Sequence, residues 1–173
     1  MKWIAAVVLV LAGLMAQAHA DPITTPAEAF GFEPGTDRKL ADWSQLTAYY
    51  RNLAAQSDRV RYQELGKTTE GRPFVMLTVS APANLAHLDD YKGIVTRLSD
   101  PRITSAEEAR SLISRGKTVM IITFNIHSTE IASSQTAAEF VYRMASSSDP
   151  DVLTTLENVI LLLVPSQNPD GEQ

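Results

Sequence analysis

Val119-Met120-Ile121-Ile122-Thr123-Phe124-Asn125-Ile126-His127-Ser128-Thr129-Glu130 is the stretch on which the fold turns: a nearly continuous apolar run gives way to an imidazole and then, three residues on, to a carboxylate. Such a run is expected of a strand buried on both faces. From about Thr129 to Ala145 the apolar positions recur at helical spacing, which puts Glu130 in the first turn of a helix, where the helix N-terminus favours its negative charge. A histidine just past a strand end and a glutamate in the next helical turn can converge on one metal ion at about 2.0–2.2 Å. His127 and Glu130 are therefore candidate zinc ligands. His-x-x-Glu arises readily from ordinary composition, and the plainer reading makes Glu130 a first-turn charge and His127 a hydrogen-bonded loop residue. Placement gives the metal reading its weight, because ligands collect outside the carboxyl ends of strands in open α/β sheets.

The helix that follows has two apolar stripes, Ile131, Ala138, Val141 and Ala145 beside Ala137, Phe140 and Met144, with Gln135, Glu139, Tyr142 and Arg143 on the other side. Together the stripes cover about half the circumference at 3.6 residues per turn. A face that wide predicts a helix pressed between the sheet and another element. After a turn at Asp149-Pro150-Asp151 and a short helix comes Val159-Ile160-Leu161-Leu162-Leu163-Val164, a second apolar strand. Strand, helix and strand of these lengths predict a parallel βαβ unit. Parallel strands share a carboxyl edge, so Ser166-Gln167-Asn168-Pro169-Asp170-Gly171 emerges on the same rim as His127 and Glu130. Taken singly, Pro169, Asp170 and Gly171 are ordinary turn formers.

Upstream, Asp42 with Gln45 three residues on forms a capping box, followed at helical spacing by Trp43, Leu46, Tyr50 and Leu53. Val60 to Leu65 and Phe74 to Ser80 read as strands, joined by Gly66-Lys67-Thr68-Thr69-Glu70-Gly71-Arg72-Pro73. The Gly-Lys-Thr there is no phosphate loop, because Arg61 stands where that motif needs its first glycine. Leu85 to Leu98 and Ser105 to Ser114 read as helices, the second ending at Gly116. His87 lies in the first of these beside Asp89 and Asp90. Its spacing to Asp90 imitates a ligand pair, but with no strand end nearby it reads as a solvated or locally hydrogen-bonded helix face. The fold class expected is α/β, a mixed sheet with parallel central strands flanked by helices.

The first twenty residues read as a signal peptide: Lys2 gives the positive start, Trp3 to Met15 the apolar stretch, and Ala18-His19-Ala20 a small-x-small cleavage site before Asp21. That stretch is shorter than the roughly 18–20 residues that span a bilayer. An uncleaved anchor is the competing reading. A secreted or periplasmic product with no membrane attachment after leader cleavage is expected. The chain has no cysteine, which excludes disulfides and lipid attachment at the cleavage site. Without Lys2, fourteen of the fifteen Lys and Arg remain against twenty Asp and Glu, a balance that gives no reason to expect nucleic acid. Residues 21–40, which include Pro22, Pro26, Gly31, Pro34 and Gly35, read as a linker or N-terminal arm. Residues 41–173 form the domain, and nothing in the sequence sets its oligomeric state.

With these motifs in place, the sequence resembles the zinc carboxypeptidase family, the metallocarboxypeptidases related to carboxypeptidase A. The family's His-x-x-Glu after a central strand matches His127 and Glu130, and its Asn-Pro-Asp-Gly after the next matches Asn168-Pro169-Asp170-Gly171. Phe30-Gly31-Phe32-Glu33-Pro34-Gly35 and the Gly66 to Pro73 loop are similar to the N-terminal region of large exported bacterial members. The resemblance implies that His127 and Glu130 are the first two zinc ligands of a hydrolase cleaving peptide or amide bonds. It also implies a third histidine ligand, carboxylate-holding arginines and asparagine, a tyrosine and a general-base glutamate downstream of Gly171. The chain is accordingly expected to be the truncated N-terminal part of the catalytic domain, inactive by itself. Thr129 stands where several carboxypeptidases have a substrate-holding arginine. An exported peptide- or cell-wall-binding module without turnover is the alternative, and an interaction domain in which His127 and Glu130 are incidental is a third.

Overall fold

The computed structural model describes residues 22–172, so the expected leader and its cleavage point lie outside the described residues. Along the chain run α1 (Pro26–Phe30), α2 (Trp43–Gln56), β1 (Val60–Lys67), β2 (Pro73–Val79), α3 (Pro82–Leu85), α4 (Leu88–Ser99), α5 (Ala106–Arg115), β3 (Thr118–Thr123), α6 (Ile131–Ser146), α7 (Pro150–Asn158) and β4 (Val159–Val164). The strands form one mixed sheet in the order β1-β2-β4-β3. β1 and β2 make an antiparallel hairpin, β2 runs antiparallel to β4, and β4 runs parallel to β3. The parallel βαβ unit is therefore present, with α6 and α7 in its crossover. No helix among the described residues is long and apolar enough to cross a membrane.

Alternation along the strands divides the sheet into two faces. Val75, Leu77 and Val79 of β2 and Leu161 and Leu163 of β4 are buried in the core with Leu46, Tyr50 and Leu53 of α2 and Ala137, Ala138 and Val141 of α6. A buried leucine of this kind stabilises the fold by about 1.5–3 kcal/mol, as an upper figure. The α2 helix starts as its capping box predicts: the Asp42 side chain accepts from the Gln45 amide, and the Gln45 side chain accepts from the Asp42 amide. The opposite face of the sheet, with Met76, Thr78, Ile160 and Leu162, meets α4 across a cavity of about 420 Å³.

Within residues 21–40 the chain forms regular structure, and two expectations, one on α6 and one on β3, need correction. Residues 21–40 hold a helix, α1, whose Thr25–Glu28 capping box and left-handed Gly31 cap define a single helical turn or so. Its Phe30 ring packs edge-on against Tyr49 at 5.5 Å, so this arm is docked to α2. On α6, Gln135 is buried where a polar outer position was expected, and Ile131 is exposed where a core position was expected. The α6 face is turned so that its small Ser134 meets Tyr50, whose hydroxyl donates to the Ser134 carbonyl at 3.3 Å. Most consequentially, β3 is an edge strand among the described residues. Val119, Met120 and Ile121 are exposed, contrary to the expectation of burial on both faces, because β4 is its only strand neighbour there.

Candidate metal centre

β3 ends at Thr123, earlier than the apolar run suggests. One further ladder bond, from the Phe124 amide to the Val164 carbonyl at 3.0 Å, carries the chain to the sheet rim. There Asn125 takes a left-handed conformation with φ 44° and turns the chain away from the strand direction. His127 thus stands in a loop beyond the strand. Glu130, expected in the first helical turn, is the residue just before it, the N-cap of α6. Its side chain does not cap that helix; it folds back toward the residues that precede it.

The carboxylate is held at three points. Glu130 Oε2 accepts hydrogen bonds from the backbone amides of Ile126 and His127, each at 3.0 Å. Glu130 Oε1 lies 2.9 Å from His127 Nδ1. The hydrogen bond to the His127 side chain, followed by that to the His127 amide, holds the Glu130 carboxyl below the usual carboxylate range. Both side chains remain open to solvent, His127 at 72% exposure and Glu130 at 43%. Two donors each about 2.1 Å from a tetrahedral ion lie about 3.4 Å apart. At 2.9 Å the imidazole nitrogen and the carboxylate oxygen are in hydrogen-bond contact, so a shared ion would replace that bond and move the two atoms apart by about 0.5 Å. Among the described residues no group of three His, Cys, Asp or Glu side chains is arranged to hold a metal ion.

The end of β4 closes over this loop, as the shared carboxyl edge predicts. The Gln167 amide donates to the Phe124 carbonyl at 2.9 Å, and the Asn168 amide to the Asn125 carbonyl at 3.1 Å. Gly171 abuts Ser128, one residue past His127, so closely that a Cβ at position 171 would lie 2.9 Å from the Ser128 Cβ. Asn-Pro-Asp-Gly is therefore more than a plain turn here, since its last residue supports the His127 loop. Its Asp170 faces the other way and ties the hairpin loop to the rim. Asp170 Oδ1 accepts from Thr68 Oγ1 at 2.6 Å and from Arg72 at 2.9 Å. These bonds, that from Thr68 first, hold the Asp170 carboxyl below its ordinary value.

Sequence reasoning placed His127 and Glu130 together but missed what holds them. Ser133, in the first turn of α6, accepts from the Asn125 amide at 3.0 Å and donates to the Glu130 carbonyl at 2.8 Å. Asn125 is buried, and its side-chain amide donates to Glu172, which also accepts from Ser134. Asn125 Oδ1 has no partner among the described residues. A buried acceptor left so costs about 1–3 kcal/mol. Burial pushes the Glu172 carboxyl up, against the lowering effect of Ser134. An asparagine ending an apolar strand was the available signal for the turn. His87 stands apart from this rim, at the N-terminus of α4, with Nδ1 3.2 Å from Asp90 Oδ2 on an exposed surface.

Comparison with known proteins bears on this arrangement. A family model described as zinc carboxypeptidase matches residues 46–173. No curated protein sequence matches the chain. Among solved structures, the carboxypeptidase A from Helicoverpa armigera aligns with a TM-score of 0.54 at 20% identity, over 78% of this chain and 26% of that one. A metallo-carboxypeptidase from Burkholderia cenocepacia aligns at 0.51 with 22% identity, over 75% and 27%. Thrombin activatable fibrinolysis inhibitor aligns at 0.57 with 15% identity, over 91% and 30%. At such identities the likeness is one of fold, and the chain spans between 26% and 30% of the length of these three structures.

Proposed function

The chain belongs to the zinc carboxypeptidase family, and on that premise we propose that His127 and Glu130 supply two zinc ligands of an exported hydrolase acting on peptide or amide bonds. The observation that carries this reading is the 2.9 Å approach of His127 Nδ1 to Glu130 Oε1 at the sheet rim. Zinc, when bound, polarises the scissile carbonyl and activates water for attack. The chain's own residues prepare the place. Amides of Ile126 and His127 fix the Glu130 carboxylate, its depressed pKa keeps it charged, and Gln167 and Asn168 hold the loop against β4.

Catalytic zinc is held by three protein ligands. With only the His127–Glu130 pair assembled among the described residues, zinc binding is weak and no hydrolysis is expected of this pair by itself. Complete structural sites bind zinc with about 10–16 kcal/mol; two ligands retain about 4–8 kcal/mol, corresponding to millimolar to micromolar affinity. Calorimetric titration with zinc tests the assignment. Binding is expected in the parent chain and absent in both His127→Ala and Glu130→Ala, and affinity that survives either substitution removes that residue from the site.

A further inference from the structure

Among the described residues, only Arg38 and Asn125 adopt positive φ without being glycine, and Asn125 alone of the two is buried. L-residues visit this region at a cost, asparagine less than most. Such conformations persist where the surroundings over-determine them, and they gather at functional sites. The surroundings of Asn125 do so from three directions. Its amide donates to Ser133 Oγ of α6, its carbonyl accepts from the Asn168 amide beyond β4, and its side-chain amide donates to Glu172. The two residues that follow, Ile126 and His127, are those whose amides meet Glu130 Oε2. An extended residue at 125 would continue the strand direction at about 3.3 Å per residue and carry those amides away from α6.

We propose that Asn125 is a positioning residue for the His127–Glu130 pair. Its left-handed backbone turns the next two amides onto the Glu130 carboxylate and so sets that carboxylate against the imidazole. The role belongs to the backbone conformation, which glycine can adopt freely and alanine cannot. For its zinc readout the inference rests on the metal reading given above; the pairing of His127 with Glu130 in the metal-free chain is independent of it.

The experiment uses the full chain and its Asn125→Gly and Asn125→Ala variants, each followed by zinc titration and by nitrogen NMR of the metal-free imidazole. Asn125→Gly is expected to keep the parent's His127 Nδ1 signal and zinc affinity. Asn125→Ala is expected to shift that signal toward a free imidazole and to weaken zinc binding about tenfold. An Asn125→Ala chain with the parent's signal and affinity overturns the proposal, as does an Asn125→Gly chain altered as much as Asn125→Ala. Should Asn125→Ala fail to fold, Asn125→Gly decides alone: parental values support the proposal and their loss overturns it. A parent chain that takes up no zinc defeats the metal reading, while the metal-free imidazole signals still judge Asn125.

Discussion

Thr68 donates its hydroxyl hydrogen to Asp170 Oδ1 at 2.6 Å, joining two residues separated by 102 positions in the chain. Arg72 reaches the same oxygen at 2.9 Å, and the Glu70 amide reaches Oδ2 at 3.3 Å. One carboxylate thereby fastens the tip of the β1–β2 hairpin to the rim that carries the His127 loop. Asp170→Asn is expected to lower the thermal unfolding midpoint by a few degrees. Because the folded Asp170 pKa is depressed, its contribution is present above the unfolded carboxyl pKa and is lost as pH falls through the folded value. Thermal scans from acid to neutral pH should show the parent and variant midpoints converging in acid.

Gly171 is tested by adding one methyl group. A Cβ there would lie 2.5 Å from Asn168 Nδ2 and 2.9 Å from Ser128 Cβ. Gly171→Ala therefore pushes on both the Asn-Pro-Asp-Gly turn and the His127 loop. Overpacking of this kind costs about 1–3 kcal/mol. Denaturant unfolding measures that cost, and zinc titration of the same variant should show weakened binding.

Glu172 should act in the opposite pH sense to Asp170. Burial raises its carboxyl pKa. A raised folded pKa contributes stability that is fully present below the unfolded pKa and is lost as pH rises through the folded one. Glu172→Gln removes this dependence, so it should raise the unfolding midpoint relative to the parent at neutral pH and leave it little changed in acid. Calorimetric scans of both proteins across that range check the difference.

The core provides a reference for these rim effects. Leu77 is fully buried at the centre of β2, among the side chains of the sheet face that α2 and α6 cover. Leu77→Ala should cost about 2–5 kcal/mol by removing packed methyl groups and leaving a cavity. Urea unfolding measures it, and the loss should exceed that of any rim substitution above.

The capping box of Asp42 and Gln45, the hairpin strands and the Val159–Val164 strand were legible because each rests on local periodicity or on a local cap. The convergence of His127 and Glu130 was legible from their spacing and from the strand before them. What stayed hidden depends on partners far along the chain. No local pattern announces that Asp170 meets Thr68, that Ser128 leaves no room for a side chain at Gly171, or that Ser134 and Gln135 face inward. The apolar run from Val119 misled in one respect. Hydrophobicity sets the strand type, whereas exposure depends on the neighbours in the sheet, and β3 has one among the described residues.

The single-sided pairing of β3 also bears on how the rim moves. Among the described residues β2 and β4 each lie between two strands, while β3 shares its ladder with β4 alone. Breaking that ladder would leave the Asn125–Glu130 loop held by its bonds to Ser133, Asn168 and Glu172, without disturbing the side chains of α2 and β2. Amide protons of β3 and the loop should therefore exchange with solvent through small local openings, and those of β2 only through opening of the whole domain. An ion gripping His127 and Glu130 would act against those openings, so the slowing of exchange on adding zinc should be largest where the loop leaves β3 and should fade toward the hairpin.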